Sequence, residues 1–380
     1  MALRVAVVAG EASGDTLGAA FIAALREREP DAEVFGVAGP KMIAAGCEAW
    51  APAETLAVMG VAEVLRHLSR LWRLRRELTA RFLAARPDVF IGIDAPEFNL
   101  RLGPGLKPAM PVVQYVSPQV WAWRQGRVRT IGRSCDLVLC LLPFETRFYG
   151  EHHVRAVFVG HPLADRIPLD VDRGAARDAL GLARGDRVIA VLPGSRVGEV
   201  TRLGADFAGA CALLAARRPG IRFVAPMANA AVREIFTAQW RARAGELPVH
   251  ILDGGAEQAI IAADSVLVAS GTATLEATLC QRPMVVAYRL APLTALLLRA
   301  FGLVKVPYFS QPNLLAGEKL VPEFFQEAVT PQALADALAA GLDDPDHAAR
   351  LAARFRAIHE SLRVDGARRA VDAVLALVRR

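Results

Sequence analysis

Three stretches of the chain hold the residue types that group-transfer chemistry needs. Pro193-Gly194-Ser195-Arg196 combines a glycine, which lets backbone approach a ligand, with a hydroxyl and a guanidinium. These are the ingredients of a phosphate cradle, although a plain strand-to-helix turn with a solvated arginine would use the same residues. Ser270-Gly271-Thr272-Ala273-Thr274-Leu275-Glu276 follows an apolar run and opens a helix. Amides at a helix start, with three hydroxyls around them, suit a diphosphate, and Glu276 lies where it could accept from two ribose hydroxyls. Ser/Thr capping is the alternative there, and pairing with the Arg196 loop on one sheet edge favours the ligand. Asp94 closes the run Val89–Ile93 and precedes Ala95-Pro96-Glu97-Phe98-Asn99. A carboxylate at that edge can take a proton from a hydroxyl if partial burial raises its pKa. It also fits an N-cap with Pro96 near the first helical position, and Glu97 is then a first-turn acid.

Other stretches are chemically suggestive without being decisive. Between Met59 and Arg81, Val61, Val64, Leu65, Leu68, Leu71, Trp72 and Leu74 recur at helical spacing, and Arg66, Arg70, Arg73, Arg75, Arg76 and Arg81 carry the charge. A basic amphipathic helix with a bordering tryptophan suits an anionic membrane surface, with Arg66, Arg70, Trp72, Arg73 and Arg76 as its contacts; a core-packing helix with a solvated arginine face is the alternative. Leu293–Val306 is a second apolar patch. In Ser117-Pro118-Gln119-Val120-Trp121-Ala122-Trp123-Arg124, aromatics beside arginine could stack on a sugar or on bases, or be core. Asp253-Gly254-Gly255 reads as a turn that could border a nucleobase, and His161 before Pro162 reads as structural.

These residues need elements to position them, and the elements alternate. Val5–Ala9, Glu33–Ala38, Val89–Ile93, Val112–Val116, Leu137–Leu142 and Val157–Val159 are strand candidates separated by helical patterns. After a polar connection around Asp165–Asp172 the pattern restarts with Val188–Leu192, Arg222–Ala225, Val249–Leu252, Ser265–Ala269 and Met284–Tyr288. Apolar runs bounded by turn residues fit strands buried on both faces of a parallel sheet. Ligands of such sheets sit at the carboxyl ends of the strands. The fold class expected is α/β, with two Rossmann-like parallel-sheet domains facing an interdomain cleft: residues 1–164, residues 165–345, and C-terminal helices over 346–380 packing back toward the first domain.

With 380 residues, two domains are the default, and 53% hydrophobic with 22% charged residues is the composition of a folded protein. The net charge of +6, mostly from arginine, favours anionic partners without choosing among them. Five scattered cysteines with no CxxC and no clustered histidine argue for a reducing compartment and against structural zinc. The dinucleotide fingerprint GxGxxG is absent after the first strand, and so is any DxD-type acidic metal site. The apolar run behind Met1 breaks at Glu11, too soon for a signal peptide, and eighteen apolar residues nowhere run uncharged. A cytoplasmic protein is expected.

Taken together, AGEASGD (Ala9–Asp15), AGPKM (Ala38–Met42), GIDAPEFN (Gly92–Asn99), YVSPQVWAWR (Tyr115–Arg124), LPGSR (Leu192–Arg196), ASGTATLE (Ala269–Glu276), PMVVAYR (Pro283–Arg289) and PNLLAG (Pro312–Gly317) make the chain resemble the lipid-A-disaccharide synthases, inverting glycosyltransferases of the GT-B fold. The resemblance implies that UDP-2,3-diacylglucosamine donates its sugar to the 6-hydroxyl of 2,3-diacylglucosamine 1-phosphate, without metal or cofactor. By the same likeness Asp94 is the base. Gly194, Ser195, Arg196, Ser270, Gly271, Thr272, Glu276 and Asn313 hold the nucleotide sugar, while Glu11, Ser13 and Gly14 line the acceptor side. Glu97 stands where the family commonly has Asp, which keeps the acid. Diacylated substrates need a greasy, cationic entrance, so peripheral association with the inner membrane is expected. Nucleic acid is not expected as a partner, and a homodimer stays open. Another GT-B protein, such as a UDP-N-acetylglucosamine 2-epimerase or a lipid-linked-sugar transferase, is the enzymatic rival; a nucleic-acid-binding protein using the arginine surface would show steeply salt-dependent binding indifferent to UDP.

Overall fold

The computed structural model describes residues 2–56, 61–122, 125–291 and 307–379, with the backbone alone over 61–69. Leu293–Val306, Trp123, Arg124, Met59 and the Arg66 side chain therefore lie outside the described residues. The chain divides into two compact units, Met1–Asp165 with Leu362–Arg380, and Arg166–Ser361.

In the first unit, strands β1 (Arg4–Ala9), β2 (Glu33–Ala38), β3 (Glu48–Pro52), β4 (Val89–Ile93), β5 (Val112–Tyr115), β6 (Leu137–Cys140) and β7 (Ala156–Phe158) form one sheet in the order β3-β2-β1-β4-β5-β6-β7. Every pairing is parallel, with Val5 opposite Val34 on one side and Val89 on the other. The central strands are apolar at nearly every position because helices cover both faces. Phe21, Ile22 and Leu25 of helix Glu11–Arg28 pack on one face; Leu78 and Phe82 of helix Val61–Ala85 pack on the other, with Leu102 and Leu106 of helix Pro96–Leu106.

The second unit repeats the plan. Strands β8 (Val188–Leu192), β9 (Arg222–Met227), β10 (His250–Asp253), β11 (Ser265–Ala269), β12 (Met284–Tyr288) and β13 (Glu323–Phe325) pair in parallel in the order β10-β9-β8-β11-β12-β13. In each sheet the order reverses beside its first strand, between β1 and β4 and between β8 and β11. Loops leave those strand ends in opposite directions and open a crevice between them.

Two strands have no counterpart in the sequence reading, β3 and β13, and both are edges. An edge strand is covered on fewer sides, so Glu48-Ala49-Trp50-Ala51-Pro52 lacks the Val/Ile/Leu run of the central strands, and its proline is at home there. The C-terminal segment expected to act as one, 346–380, is split. Helix Pro345–Leu362 sits almost wholly in the second unit, where Phe355 is buried and His359 Nδ1 lies 3.0 Å from the Leu279 carbonyl oxygen. Helix Gly366–Val378 buries Ala370, Val371 and Val374 in the first unit's core. Its first amides, Asp365 N and Gly366 N, donate to the Asp165 carboxylate at 3.1 and 2.7 Å.

Candidate active site

The carboxyl edge of the first sheet concentrates backbone strain. Glu11 after β1, Asp94 and Ala95 after β4, and Val116 after β5 have φ of 59°, 54°, 38° and 78°. Residues with a Cβ seldom occupy the left-handed region, and a β-branched valine least of all, so the surroundings must hold them there. The restraints around Asp94 are explicit. Its amide donates to the Tyr115 carbonyl at 2.9 Å. Its carbonyl accepts from Asn99 Nδ2 at 2.8 Å and from Gln114 Nε2 at 3.1 Å. Gln114 also donates to the Val116 carbonyl at 3.2 Å, and Asn99 to that of Val8 at 3.3 Å, tying three strand ends together. Gly10 is required for close approach: a Cβ there would lie 2.6 Å from that of Ala95.

The outcome is a half-buried Asp94 carboxylate standing at the switch point. Ser13 Oγ donates to its Oδ2 at 2.8 Å, and the other oxygen has no protein partner among the described residues. The capping role is ruled out, because Ala95 is the N-cap of helix Pro96–Leu106 and receives no side-chain bond. Glu97 is engaged by Arg127 at 2.6 Å. Glu11 and Ser13 are exposed beside Asp94, whereas Gly14 is buried, and a Cβ there would sit 3.4 Å from the Asp94 Cβ. Asp15 holds the Ala38–Met42 stretch in place: its carboxylate accepts from the amides of Lys41 and Met42 at 3.0 and 2.9 Å.

Asp94 and Glu11 line a cavity of about 1380 Å³. Its other wall comes from helix Val61–Ala85 through Leu71, Trp72, Arg73, Arg75, Arg76 and Glu77, and Leu56, Phe98 and Arg101 complete it. Trp72 is 52% exposed, with the Arg76 guanidinium 4.8 Å from its ring centroid. Arg70 is exposed outside this lining. The periodicity marked this helix as basic and amphipathic; that its arginines and an aspartate share one cavity was not visible in it.

Trp121, a candidate stacking residue, is core. It is buried, edge-on to Phe144, and donates its indole N–H to Glu145 Oε1 at 3.0 Å. Burial pushes the Glu145 carboxyl up to about 7, against the lowering effect of hydrogen bonds from the Leu142 amide and the Trp121 indole. Ser117 Oγ lies 3.0 Å from the Tyr149 hydroxyl beneath the same loop. His161 is structural: its Nδ1 accepts from the Leu163 amide at 3.2 Å, and burial lowers its pKa to about 4. All five cysteines are free and buried, and burial raises the pKa of each.

In the second unit the phosphate-cradle candidates flank the β8–β11 switch point. Gly194 adopts φ 132°, and a Cβ there would fall 2.5 Å from that of Glu199. Glu199 is a residue the sequence reading passed over: it sits at the third position of helix Val197–Arg217 and accepts from the amides of Ser195 and Arg196 at 3.1 and 3.3 Å. Those two amides are already engaged, so an anion at this loop meets chiefly the Arg196 side chain, which is 80% exposed. Across the switch point Gly271 and Thr272 are exposed at the start of helix Thr272–Leu279, and their amides point along its axis. Ser270 turns its hydroxyl to the Phe309 carbonyl at 2.8 Å and anchors the loop. Glu276 is half-buried; burial raises its pKa, Arg166 opposes the rise, and Glu257, itself paired to Arg166 at 2.6 Å, adds to it.

Asn313 needs correction. It is fully buried, donates to the Val321 carbonyl at 3.0 Å, and accepts from the amides of Leu320 and Val321 at 2.8 and 2.9 Å. It braces the turn after helix Gln311–Ala316 and presents no surface to a ligand. Asp253 is the exposed last residue of β10, paired with Arg233 at 2.5 Å. No group of three or more His, Cys, Asp or Glu suited to a metal ion occurs among the described residues, and no described helix is long and apolar enough to cross a membrane.

Comparison with known proteins gives one family. Residues 5–376 match the family model described as lipid-A-disaccharide synthetase. The lipid-A-disaccharide synthase of Pseudomonas aeruginosa (strain UCBPP-PA14) is 54% identical over 379 residues, covering 100% of this chain and 99% of that protein. That of Xanthomonas campestris pv. campestris (strain 8004) is 50% identical, covering 99% and 86%. Among solved structures, a UDP-GlcNAc 2-epimerase from Neisseria meningitidis bound to UDP-GlcNAc superposes with a TM-score of 0.68 at 12% identity, covering 98% of this chain and 100% of that one. The calicheamicin glycosyltransferase CalG4 gives 0.55 at 17% identity, covering 99% and 98%. At such identities the solved structures speak for the fold alone, that of the GT-B glycosyltransferases and epimerases.

Proposed function

The chain belongs to the lipid-A-disaccharide synthase family, and from that premise we propose that it moves 2,3-diacylglucosamine from UDP-2,3-diacylglucosamine to the 6-hydroxyl of 2,3-diacylglucosamine 1-phosphate. The products are a β-1,6-linked disaccharide 1-phosphate and UDP. It is a glycosyltransferase of lipid A biosynthesis. One observation carries the residue-level reading: Asp94, with one carboxylate oxygen that has no partner among the described residues, lines a cavity whose walls bring apolar, basic and acidic side chains.

In this reading the 6-hydroxyl gives its proton to Asp94 as its oxygen bonds to the donor's anomeric carbon. The bond from that carbon to the diphosphate oxygen breaks, and its electron pair leaves with UDP. Displacement from the face opposite the leaving group inverts the anomeric carbon. Ser13 fixes one Asp94 oxygen so that the other meets the alcohol, and the strained turn keeps the carboxylate from rotating away. The leaving diphosphate gains charge, which the Arg196 guanidinium and the amides of Gly271 and Thr272 stabilise. Glu276 takes ribose hydroxyls.

Helix Val61–Ala85 also meets an anionic membrane surface, for which Arg66, Arg70, Trp72, Arg73 and Arg76 are the contacts expected from the sequence. The enzyme is then cytoplasmic and peripheral on the inner membrane. Incubation with both substrates should yield the disaccharide 1-phosphate by mass analysis; finding UDP-sugar epimerised or hydrolysed instead would reject the transfer. Replacing Arg66, Arg70, Arg73 and Arg76 with serine should reduce co-sedimentation with anionic vesicles, and unaltered co-sedimentation would remove the membrane role.

A further inference from the structure

The cavity beside Asp94 is lined by four arginines and four acids, Glu11, Glu77, Asp94 and Glu97, of which Glu97 is taken by Arg127. Some arginines of the first unit are paired, Arg4 with Glu33 at 2.9 Å, Arg28 with Asp372 at 3.2 Å, Arg368 with Glu27 at 3.0 Å and Arg127 with Glu97 at 2.6 Å, while others, such as Arg86 and Arg155, stand exposed on the surface away from this cavity. Arg73, Arg75, Arg76 and Arg101 line the cavity, and none of them has a carboxylate partner within ion-pair distance among the described residues. Glu77 lies on the same helix and Glu11 and Asp94 at the sheet edge, so acids were within the sequence's means. These guanidinium groups thus share one open cavity with Asp94 and, among the described residues, keep their donors for a ligand anion.

The lining is also divided by element. The sheet edge brings Glu11 and Asp94; helix Val61–Ala85 brings three of the four arginines and Glu77, with Leu71 and Trp72 just before them; and helix Pro96–Leu106 brings Arg101 and the paired Glu97. The Arg76 guanidinium is held over the Trp72 ring, which orients its planar donors and limits the freedom lost when they bind. A ligand that suits such a volume is an amphiphile with a hydroxyl at one place and a doubly acceptor-rich anion at another. Guanidinium forks match phosphate oxygens in pairs, and a bidentate pair selects a phosphate over an uncharged group.

Resting on the transferase reading above, we infer that Arg73 and Arg76 form the subsite for the acceptor's phosphomonoester, with Arg101 contributing from the facing helix. The phosphate then registers the acceptor so that its hydroxyl, and not another, comes to Asp94. Arg73 and Arg76, exposed on the helix that meets the membrane, are in addition specificity residues of the acceptor site, whereas Arg70, outside the cavity, serves the lipid surface alone.

Calorimetric binding without donor, in neutral detergent, separates the possibilities. The probes are 2,3-diacylglucosamine 1-phosphate and the same amphiphile lacking phosphate, and the proteins are wild type, the double variant Arg73→Gln/Arg76→Gln, and Arg101→Gln. Wild type should prefer the phosphorylated probe by about tenfold to a hundredfold, the size expected of hydrogen bonds to a charged group. The double variant should lose most of that preference and Arg101→Gln part of it, while Arg76→Lys keeps part through its charge. The ratio of kcat/KM for the two acceptors should fall in step. A double variant that keeps the full preference overturns the subsite, and if it also loses binding to phosphatidylglycerol vesicles its arginines serve lipid headgroups. A wild type that makes no disaccharide rejects the transferase reading, while the binding preference still decides the subsite.

Discussion

The two sheet-order reversals are built from the same topology and are prepared for opposite charges. After β1 and β4, three residues with side chains sit at positive φ, with Val116 after the neighbouring β5 a fourth, and Asn99 and Gln114 grip the Asp94 turn. Between β8 and β11, positive φ falls on Gly194 and Gly271, and the exposed groups are amides and the Arg196 side chain. Strain at the first edge fixes one carboxylate with one oxygen free. Relaxed backbone at the second leaves donors for an anion. The lesson is that an α/β switch point supplies a place, and the backbone conformation of its loops decides what chemistry is done there.

The sharpest way to break this contrast is Asp94→Asn. Turnover should fall by about a hundredfold to ten-thousandfold, the usual scale for losing a general base, while UDP binding by calorimetry stays as it was. Near-normal turnover would make the first edge structural only. Next in size is Glu145→Gln, which tests whether the loop after β5 rests on a protonated acid. A carboxyl whose folded pKa is about 7, against an ordinary 4.5, binds its proton more tightly in the folded state. Stability is therefore greatest below pH 4.5, falls as pH rises from 4.5 to 7, and is flat above, a loss of about 3 kcal/mol. Melting of the Gln variant should lack that slope.

Arg196→Ala should weaken UDP binding by about tenfold to a hundredfold, as one charged partner of the diphosphate is lost; unchanged affinity would move the anion site away from this loop. Gln114→Leu removes one of the two side-chain grips on Asp94. It should cost about 1–3 kcal/mol in thermal stability by removing the Gln114 donor from the Asp94 and Val116 carbonyls, and it should lower kcat with little change in the KM for donor. The smallest effect is expected at the second edge. Glu199→Ala frees the amides of Ser195 and Arg196 and should cost only about 1 kcal/mol of stability, as an N-terminal helix cap does. A large collapse there would mean that the second loop is as constrained as the first.

Much of the fold can be read from the chain. Runs such as Val5–Ala9, Val89–Ile93 and Val188–Leu192 are apolar at every position because parallel strands are covered on both faces, so the central strands announce themselves. The edges β3 and β13 do not, because partial cover leaves no run to see. Asp94, Gly194–Arg196 and Gly271–Thr272 were legible as site candidates because polar and turn residues stand directly after those runs. Asn313 misled, since a buried asparagine clamping a turn and an asparagine offered to a ligand look alike in one dimension.

What the amino-acid sequence determined by itself is therefore the alternation of strand and helix, the two-unit plan and the family, since these rest on local periodicity and on residues contiguous along the chain. The tertiary structure alone decided which partners those residues meet. Ser13 and Asp94 are 81 positions apart and bonded at 2.8 Å, and Arg73 and Asp94 share a cavity although they stand on different elements. The physical reason is that strand order is fixed by packing between distant segments, and the left-handed backbone at Glu11, Asp94 and Val116 is imposed by that packing against the local preference of each residue.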